Sequence, residues 1–378
     1  MKKIIAVFHD NNMFSGGTMS YLSNVEFLNK CGHNILAIIP KKSGDLCEYL
    51  KQQNIKVIQC TYGGNVYNND ENKCKLAKGY LRCLVKTIVS NISARRLASS
   101  IKCENYDLVY TNTSTIYFGY WLAKSLGIVH IWHFREFAFE DQNSLRIFDA
   151  DFSKKANSAL KIFTISQKMD FYYRNKYHIS NTEMLYDDII GDYSKLKSND
   201  RNKKSYNFLL TGTLSEGKGQ RVAICAIEKL NNPNVHLYLP GYITQYGIEL
   251  IKYCERKHLS NIHFLGLVKD MKSLRSCMDF SIVCSKSEAF GRTIIEDMLS
   301  DIIVIAGNAG SVTELVQNRK NGILYEQGNS DSLVSEIKNI INGQYDLDNM
   351  RKNAFEFAEK FTKYNTAKKI SQIVGDIN

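Results

Sequence analysis

No stretch of the 378 residues approaches the ~20 consecutive apolar positions that a membrane-spanning helix needs. The opening MKKIIAVFHDNN places only five apolar residues between its lysines and His9-Asp10, too short a run for a secretory signal. The ten cysteines include no Cys-x-x-Cys pair, so they read as reduced thiols of a cytosolic chain rather than a disulfide framework. Gly-x-x-x-x-Gly-Lys-Ser/Thr is absent, which excludes a Walker P-loop, and Gly-x-Gly-x-x-Gly is absent, which excludes the usual dinucleotide fingerprint. There is no repeat of solenoid period and no low-complexity tract.

What is present is an ordinary globular composition, 44% hydrophobic and 23% charged. Short apolar runs alternate with amphipathic segments of helical length. The strand-like runs are 4–8, 35–39, 56–59, 107–111, 129–132 and 161–164, then 207–211, 236–239, 262–265, 279–284, 302–305 and 322–324. Strands separated by helices predict doubly wound parallel sheets, and the pattern occurs twice. We expect one Rossmann-like domain over 1–184 and a second over 185–355. A terminal helix in 356–378 is expected to pack back on the first domain. The polar stretch 184–204, which contains YDDIIGDYSKLKSNDRNKK, marks the seam.

Net charge is +11, unevenly placed: residues 1–184 hold 24 Lys+Arg against 15 Asp+Glu. Such a surplus suits nucleic acid, anionic lipid or a phosphorylated substrate. A helical projection of 75–92 puts Leu76, Tyr80, Leu81, Leu84, Val85 and Ile88 on one side and Lys75, Lys78, Arg82 and Lys86 on the other. The plainest expectation is a core-packed helix with a solvated basic face; the functional alternative is contact with an anionic membrane. Nucleic acid is disfavoured, because no stacking aromatics interleave with the basic residues and no binding motif accompanies them.

Ligands of doubly wound sheets sit beyond the carboxyl ends of the strands. Four loops there carry chemistry. HDNNMFSGGTMS holds Gly16-Gly17 before a helix; GTLSEGKGQ sets Lys218 among three glycines; AGNAGSVTELV is glycine-rich again. The fourth, SKSEAFGRTIIEDMLS, has Glu288 in the turn and Glu296 one turn into a helix that Gly291 opens. A helix start suits an anion, each charge there being worth ~0.3–2 kcal/mol. Lysine beside glycines adds a point charge and close backbone approach.

In this order the motifs GTLSEGKGQ, NIHFLGLVKD and EAFGRTIIE, with GHNILAIIP from Gly32, resemble glycosyltransferase family 4 over nearly the whole chain. The resemblance implies the GT-B architecture, two Rossmann-like domains facing each other across a cleft. It implies a retaining enzyme that moves a sugar, hexosyl or N-acetylhexosaminyl, from a nucleotide-diphosphate sugar, UDP-sugar foremost, to a saccharide acceptor. The basic first domain points to a lipid-linked acceptor, in cell-surface polysaccharide synthesis, with the protein peripheral at the inner membrane face. The donor would lie on Gly16, Gly17, Gly212, Thr213, Phe290, Gly291, Arg292 and Thr293. Glu296 would hold the ribose and Glu288 the transferred sugar. Lys218 would steady the departing diphosphate, and His133, at a strand's carboxyl end, would stand near the sugar. Carboxylates fit the hydroxyl-binding roles, since each accepts several short hydrogen bonds.

Two departures stand out. Thr213 occupies the position of a customary arginine, with Arg292 and Arg221 as the other cations nearby, and Asp187-Asp188 replaces a customary Asn-Gly. The first motivates the alternative of a catalytically silent GT-B partner subunit or sugar-binding protein; a nucleotide-sugar epimerase or hydrolase is a further one. No metal or other cofactor is expected. His130 and His133 lie on opposite faces of a strand. Asp149-Ala-Asp151 and Asp346-Leu-Asp348 read as solvated surface.

Overall fold

The computed structural model describes residues 1–13, 15–193 and 205–377. It divides into two compact units, Met1–Ile190 with Tyr364–Asn378, and Gly191–Lys363. Most of the seam expected at 184–204 lies outside the described residues. The expected return of 356–378 is divided: residues 356–363 stay with the second unit, and the chain joins the first from Tyr364.

The first unit is built on β1 (Lys3–Val7), β2 (Asn34–Pro40), β3 (Lys56–Cys60), β4 (Val66–Asn68), β5 (Leu108–Asn112), β6 (Val129–Phe134), β7 (Ser144–Arg146), β8 (Lys161–Thr164) and β9 (Thr182–Met184). Seven of these form one sheet in the order β3-β2-β1-β5-β6-β8-β9, parallel throughout. The remaining β4 and β7 make a small antiparallel pair. All five residues of β5 are buried, as a parallel strand covered by helices on both faces should be. Alternate residues of β1 serve the two faces. Ile4 and Ala6 pack with Tyr21, Val25 and Leu28 of the helix Gly16–Lys30 and with Ile370 and Val374 of the helix Asn365–Gly375. Ile5 and Val7 pack with Ala94, Leu97 and Ala98 of the helix Lys73–Ile101 and with Phe118 and Leu122.

The returning helix is fastened at its start. Asp188 accepts from the N–H of Ala367 at 2.9 Å, and Tyr364 stacks on Phe27 at 5.4 Å. One half of the Asp187-Asp188 departure is therefore a helix cap.

The second unit has β10 (Tyr206–Leu209), β11 (Val235–Pro240), β12 (Ile262–Gly266), β13 (Phe280–Val283), β14 (Ile303–Gly307) and β15 (Ile323–Tyr325). They form a sheet in the order β12-β11-β10-β13-β14-β15, again parallel. In each sheet the strand order reverses once, between β1 and β5 and between β10 and β13. Such a reversal opens a crevice at the carboxyl ends. Lys218 follows β10 and Glu288 follows β13.

The helix Lys73–Ile101 corrects the sequence reading. Its buried seam is Cys83, Thr87, Ser90, Ala94, Leu97, Ala98 and Ile101, while Leu81, Val85 and Ile88 are exposed. Through Cys83, Thr87, Ser90 and Ala94 the seam is made of small residues, and along that stretch the larger Leu81, Val85 and Ile88 are left outside.

Candidate functional site

Three loops of the second unit converge on Glu288. The first runs from Gly212 (φ 144°) through the turn Glu216–Lys218 to Gly219 (φ 68°), both glycines holding backbone angles that side chains resist. At Gly219 a Cβ would stand 2.2 Å from the Cys284 carbonyl oxygen, so the two loops touch backbone to backbone. Lys286 N–H donates to the Gly217 carbonyl at 2.9 Å. The third loop closes from the far side: Ser311 N–H donates to the Glu288 carbonyl at 3.0 Å, and its hydroxyl donates to the Ala289 carbonyl at 2.8 Å.

Within this frame Lys218 Nζ donates to Glu288 Oε1 at 2.6 Å, and Ser285 Oγ donates to the same oxygen at 2.5 Å. Burial pushes the Glu288 carboxyl up, but the Lys218 charge and these hydrogen bonds outweigh it and hold the carboxyl below its usual range. The side chain is an anion at neutral pH. The stem of Lys218 crosses Gly212, whose missing Cβ would lie 3.7 Å from it.

Glu296 is not a solvated helix residue. It is 9% exposed, with Oε1 accepting from Arg292 Nε at 2.7 Å and Oε2 from Arg275 Nη2 at 2.6 Å. Arg275 also donates through Nε to Asp297 at 2.8 Å. Nearby Tyr193 has its hydroxyl pushed up to about 12, by burial and then by the Glu296 charge. Arg275 escaped sequence reasoning because nothing in MKSLRS tells a buried guanidinium from a solvated one.

Gly291 (φ 102°) caps the helix Arg292–Leu299, whose first N–H groups have no acceptor within the helix. Arg292 and Thr293 are half-buried there. The Phe290 ring is buried against Phe361, centroids 5.9 Å apart. Its side chain anchors the turn, leaving its backbone as what it can offer a ligand. Thr213 is exposed, its carbonyl accepting from Gln220 Nε2 at 2.9 Å. Of the cations near it, Arg292 is engaged by Glu296 and Arg221 lies over the Tyr253 ring at 5.1 Å.

A second polar cluster occupies the strand reversal of the first unit. Asn112, ending β5, donates to the Gly17 carbonyl at 3.2 Å and bonds His9 Nδ1 at 2.9 Å. Arg135 donates to Asn112 Oδ1 at 2.6 Å and pairs through Nη1 with Asp187. Gly16 is exposed and Gly17 half-buried at the start of their helix. His133 is wholly buried; its Nδ1 bonds the Tyr110 hydroxyl at 2.8 Å, and its Nε2 has no protein partner among the described residues. Burial, then the Arg135 charge, hold the ring well below its usual pKa and therefore neutral. Its near neighbour His130 sits apart, bonded to Thr111 at 2.9 Å. Sequence reasoning found His133 and Asp187 here but not His9, Asn112 or Arg135, which meet only through the sheet.

Beside this cluster Glu136 is buried and accepts from Ser114 N–H at 2.6 Å. Burial, then Asp141, push its carboxyl from 4.5 up to about 7. A folded value above the unfolded one means that Glu136 favours folding least where it must ionise. Its contribution is intact below the unfolded value and is lost as pH rises through about 7. At ~1.4 kcal/mol per unit the change is roughly 3 kcal/mol. Urea titrations of Glu136→Gln should show the variant gaining on the wild type by about that much across this range; a pH-independent difference would contradict it.

The described residues contain no group of three or more His, Cys, Asp or Glu placed to hold a metal. Asp149 and Asp151 are exposed, as are Asp346 and Asp348.

Comparison with known proteins bears on the fold and on the second unit. Residues 194–357 match the family model of glycosyl transferases group 1. An uncharacterized glycosyltransferase of Methanocaldococcus jannaschii is 31% identical over 165 residues, 43% of this chain and 46% of that protein. The chain therefore matches a little under half of that relative's length. Among solved structures, a glycosyltransferase of Rickettsia africae is 21% identical, with TM-score 0.78 over 100% of this chain and 98% of that one. HepE of Anabaena, solved with UDP and glucose, is also 21% identical, with TM-score 0.78 over 100% of both chains. The chain has the GT-B fold, and its second unit carries the segment that matches the group 1 glycosyl transferases.

Proposed function

We propose that the chain is a retaining glycosyltransferase that takes a hexosyl or N-acetylhexosaminyl group from a UDP-sugar and places it on a saccharide acceptor. The observation that carries this reading is the Lys218–Glu288 pair at the strand reversal, beside the open start of the helix Arg292–Leu299. An anion and a polyhydroxyl group are what that arrangement suits. The diphosphate would lie against Lys218 and the N–H groups of Arg292 and Thr293. When the bond to the anomeric carbon breaks, its electron pair leaves on the diphosphate, where a fixed cation and helix start act most strongly. Glu288 would accept from hydroxyls of the sugar and Glu296 from those of the ribose. HepE, bound to UDP and glucose, supports the choice of uridine. A lipid-linked acceptor in polysaccharide synthesis, received by the first unit at the inner membrane face, belongs to the same reading. His133, buried and neutral, would act there through the groups it touches. No metal or other cofactor takes part.

Thr213 favours one rival, a silent partner subunit, because the loop lacks a second cation of its own. A ligand screen over UDP-, GDP- and ADP-sugars, followed by donor turnover, separates the two. Saturable UDP-sugar binding with transfer to an acceptor supports the transferase; free sugar or an epimer without acceptor supports a hydrolase or epimerase; binding without turnover supports the silent subunit.

The glutamates should fail differently. Glu288→Gln should impair turnover and sugar selectivity while leaving UDP affinity nearly intact. Glu296→Gln should weaken binding of UDP itself. Calorimetry with UDP decides, and equal losses in both variants would contradict the division of roles.

A further inference from the structure

The outward stripe of the helix Lys73–Ile101 has no role in the donor site. Leu81, Val85, Ile88 and Ile92 are 58%, 60%, 51% and 45% exposed. Their spacing of four, three and four residues aligns them on one face, a row roughly 17 Å long at 1.5 Å per residue. At about 100° per residue that face lies opposite the buried seam of Cys83, Thr87, Ser90 and Ala94, so it points straight out of the first unit. Val89 widens it, being 38% exposed.

Charge selects the occupant. The helix carries Lys73, Lys75, Lys78, Arg82, Lys86, Arg95 and Arg96 and no Asp or Glu. Carboxylates come only outside it, at Asp70 and Glu71 before and Glu104 after. A second copy of the same helix would bring seven like charges against seven, without a carboxylate to answer them. An anionic lipid surface answers both features, phosphates for the flanks and acyl chains for the row.

We infer that this helix lies in the plane of an anionic bilayer, with Leu81, Val85, Ile88 and Ile92 inserted at the headgroup boundary and the basic residues on the phosphates. A merely solvated basic face, by contrast, would be fully released by salt. The inference deepens the membrane part of the proposed function and rests on it; vesicle binding is measured without donor or acceptor, so its failure would leave the sugar-transfer reading standing.

The test is flotation of the full chain with vesicles of phosphatidylcholine alone and of phosphatidylcholine mixed with phosphatidylglycerol, at low and high salt. The wild type should float with the mixed vesicles, keep a residual fraction at high salt, and ignore the neutral ones. The Leu81→Ser, Val85→Ser, Ile88→Ser triple variant should lose that residue and bind at least about tenfold more weakly at low salt, with unchanged far-ultraviolet dichroism. Lys78→Gln, Arg82→Gln, Lys86→Gln should weaken low-salt binding instead. Three results would overturn the inference. The wild type fails to float with mixed vesicles at low salt; the serine variant binds like the wild type; or the wild type ignores vesicles and sediments as a dimer that the serine variant dissolves, which makes the stripe a contact between copies.

Discussion

Lys218→Ala should lower sugar-transfer turnover by ~10²–10³, or ~2.7–4 kcal/mol, the scale seen when one preorganised charge-stabilising donor is lost. Three constraints fix the residue: Gly212 beneath its stem, Gly219 locking its loop to the loop after β13, and Glu288 at its tip. In the proposed transfer, charge on the departing diphosphate grows toward the transition state, so the loss should appear in kcat more than in KM. Folding should survive. Lys218 is partly exposed, Glu288 keeps the Ser285 hydrogen bond, and without its cation the carboxyl can take up a proton. Single-turnover assays beside thermal unfolding make the comparison. Activity within about threefold of the wild type would remove Lys218 from the reaction, since a lost oxyanion-type donor costs far more.

Arg275→Met should destabilise the second unit by roughly 3–5 kcal/mol, the usual consequence of taking one partner from a buried ionic group. Arg275 is 7% exposed and holds Glu296 and Asp297 together on one turn of helix. Asp297, fully enclosed, is raised by burial even with Arg275 beside it. Without the guanidinium, the buried Asp297 loses its cation while Glu296 keeps Arg292. Arg292→Met removes a contact to Glu296 and one to Tyr193 but leaves Arg275 to hold both carboxylates, and should cost clearly less. Urea unfolding of the two variants measures the difference, and equal costs would mean that Arg275 is not the keystone of the group. UDP affinity should fall with Arg275→Met as well, because Glu296 loses one of the two partners that aim it.

Much of this was legible in the chain because it is local. All twelve apolar runs are strands, and the glycine loops follow the strands expected of them. Apolar runs bounded by Gly291 or Gly219 report buried parallel strands and tight turns without help from the rest of the sequence. Other features depend on residues far apart. β4 and β7 have three residues each and pair only because the fold brings 66–68 beside 144–146. Arg275 reaches Glu296 across 21 positions, and Arg135 reaches Asp187 across 52. The helix Lys73–Ile101 was misread for a different reason. Hydrophobic periodicity locates an apolar face but not which face is buried, and here Cys83, Thr87, Ser90 and Ala94 take the inside while Leu81, Val85 and Ile88 are exposed.

Crystals of the protein grown or soaked with UDP test the central claim most directly. The account predicts diphosphate density within hydrogen-bond distance of Lys218 Nζ and of the first N–H groups of the helix Arg292–Leu299, with the ribose hydroxyls on Glu296. A nucleotide bound elsewhere, or with its diphosphate pointing away from Lys218 and Glu288, would contradict it.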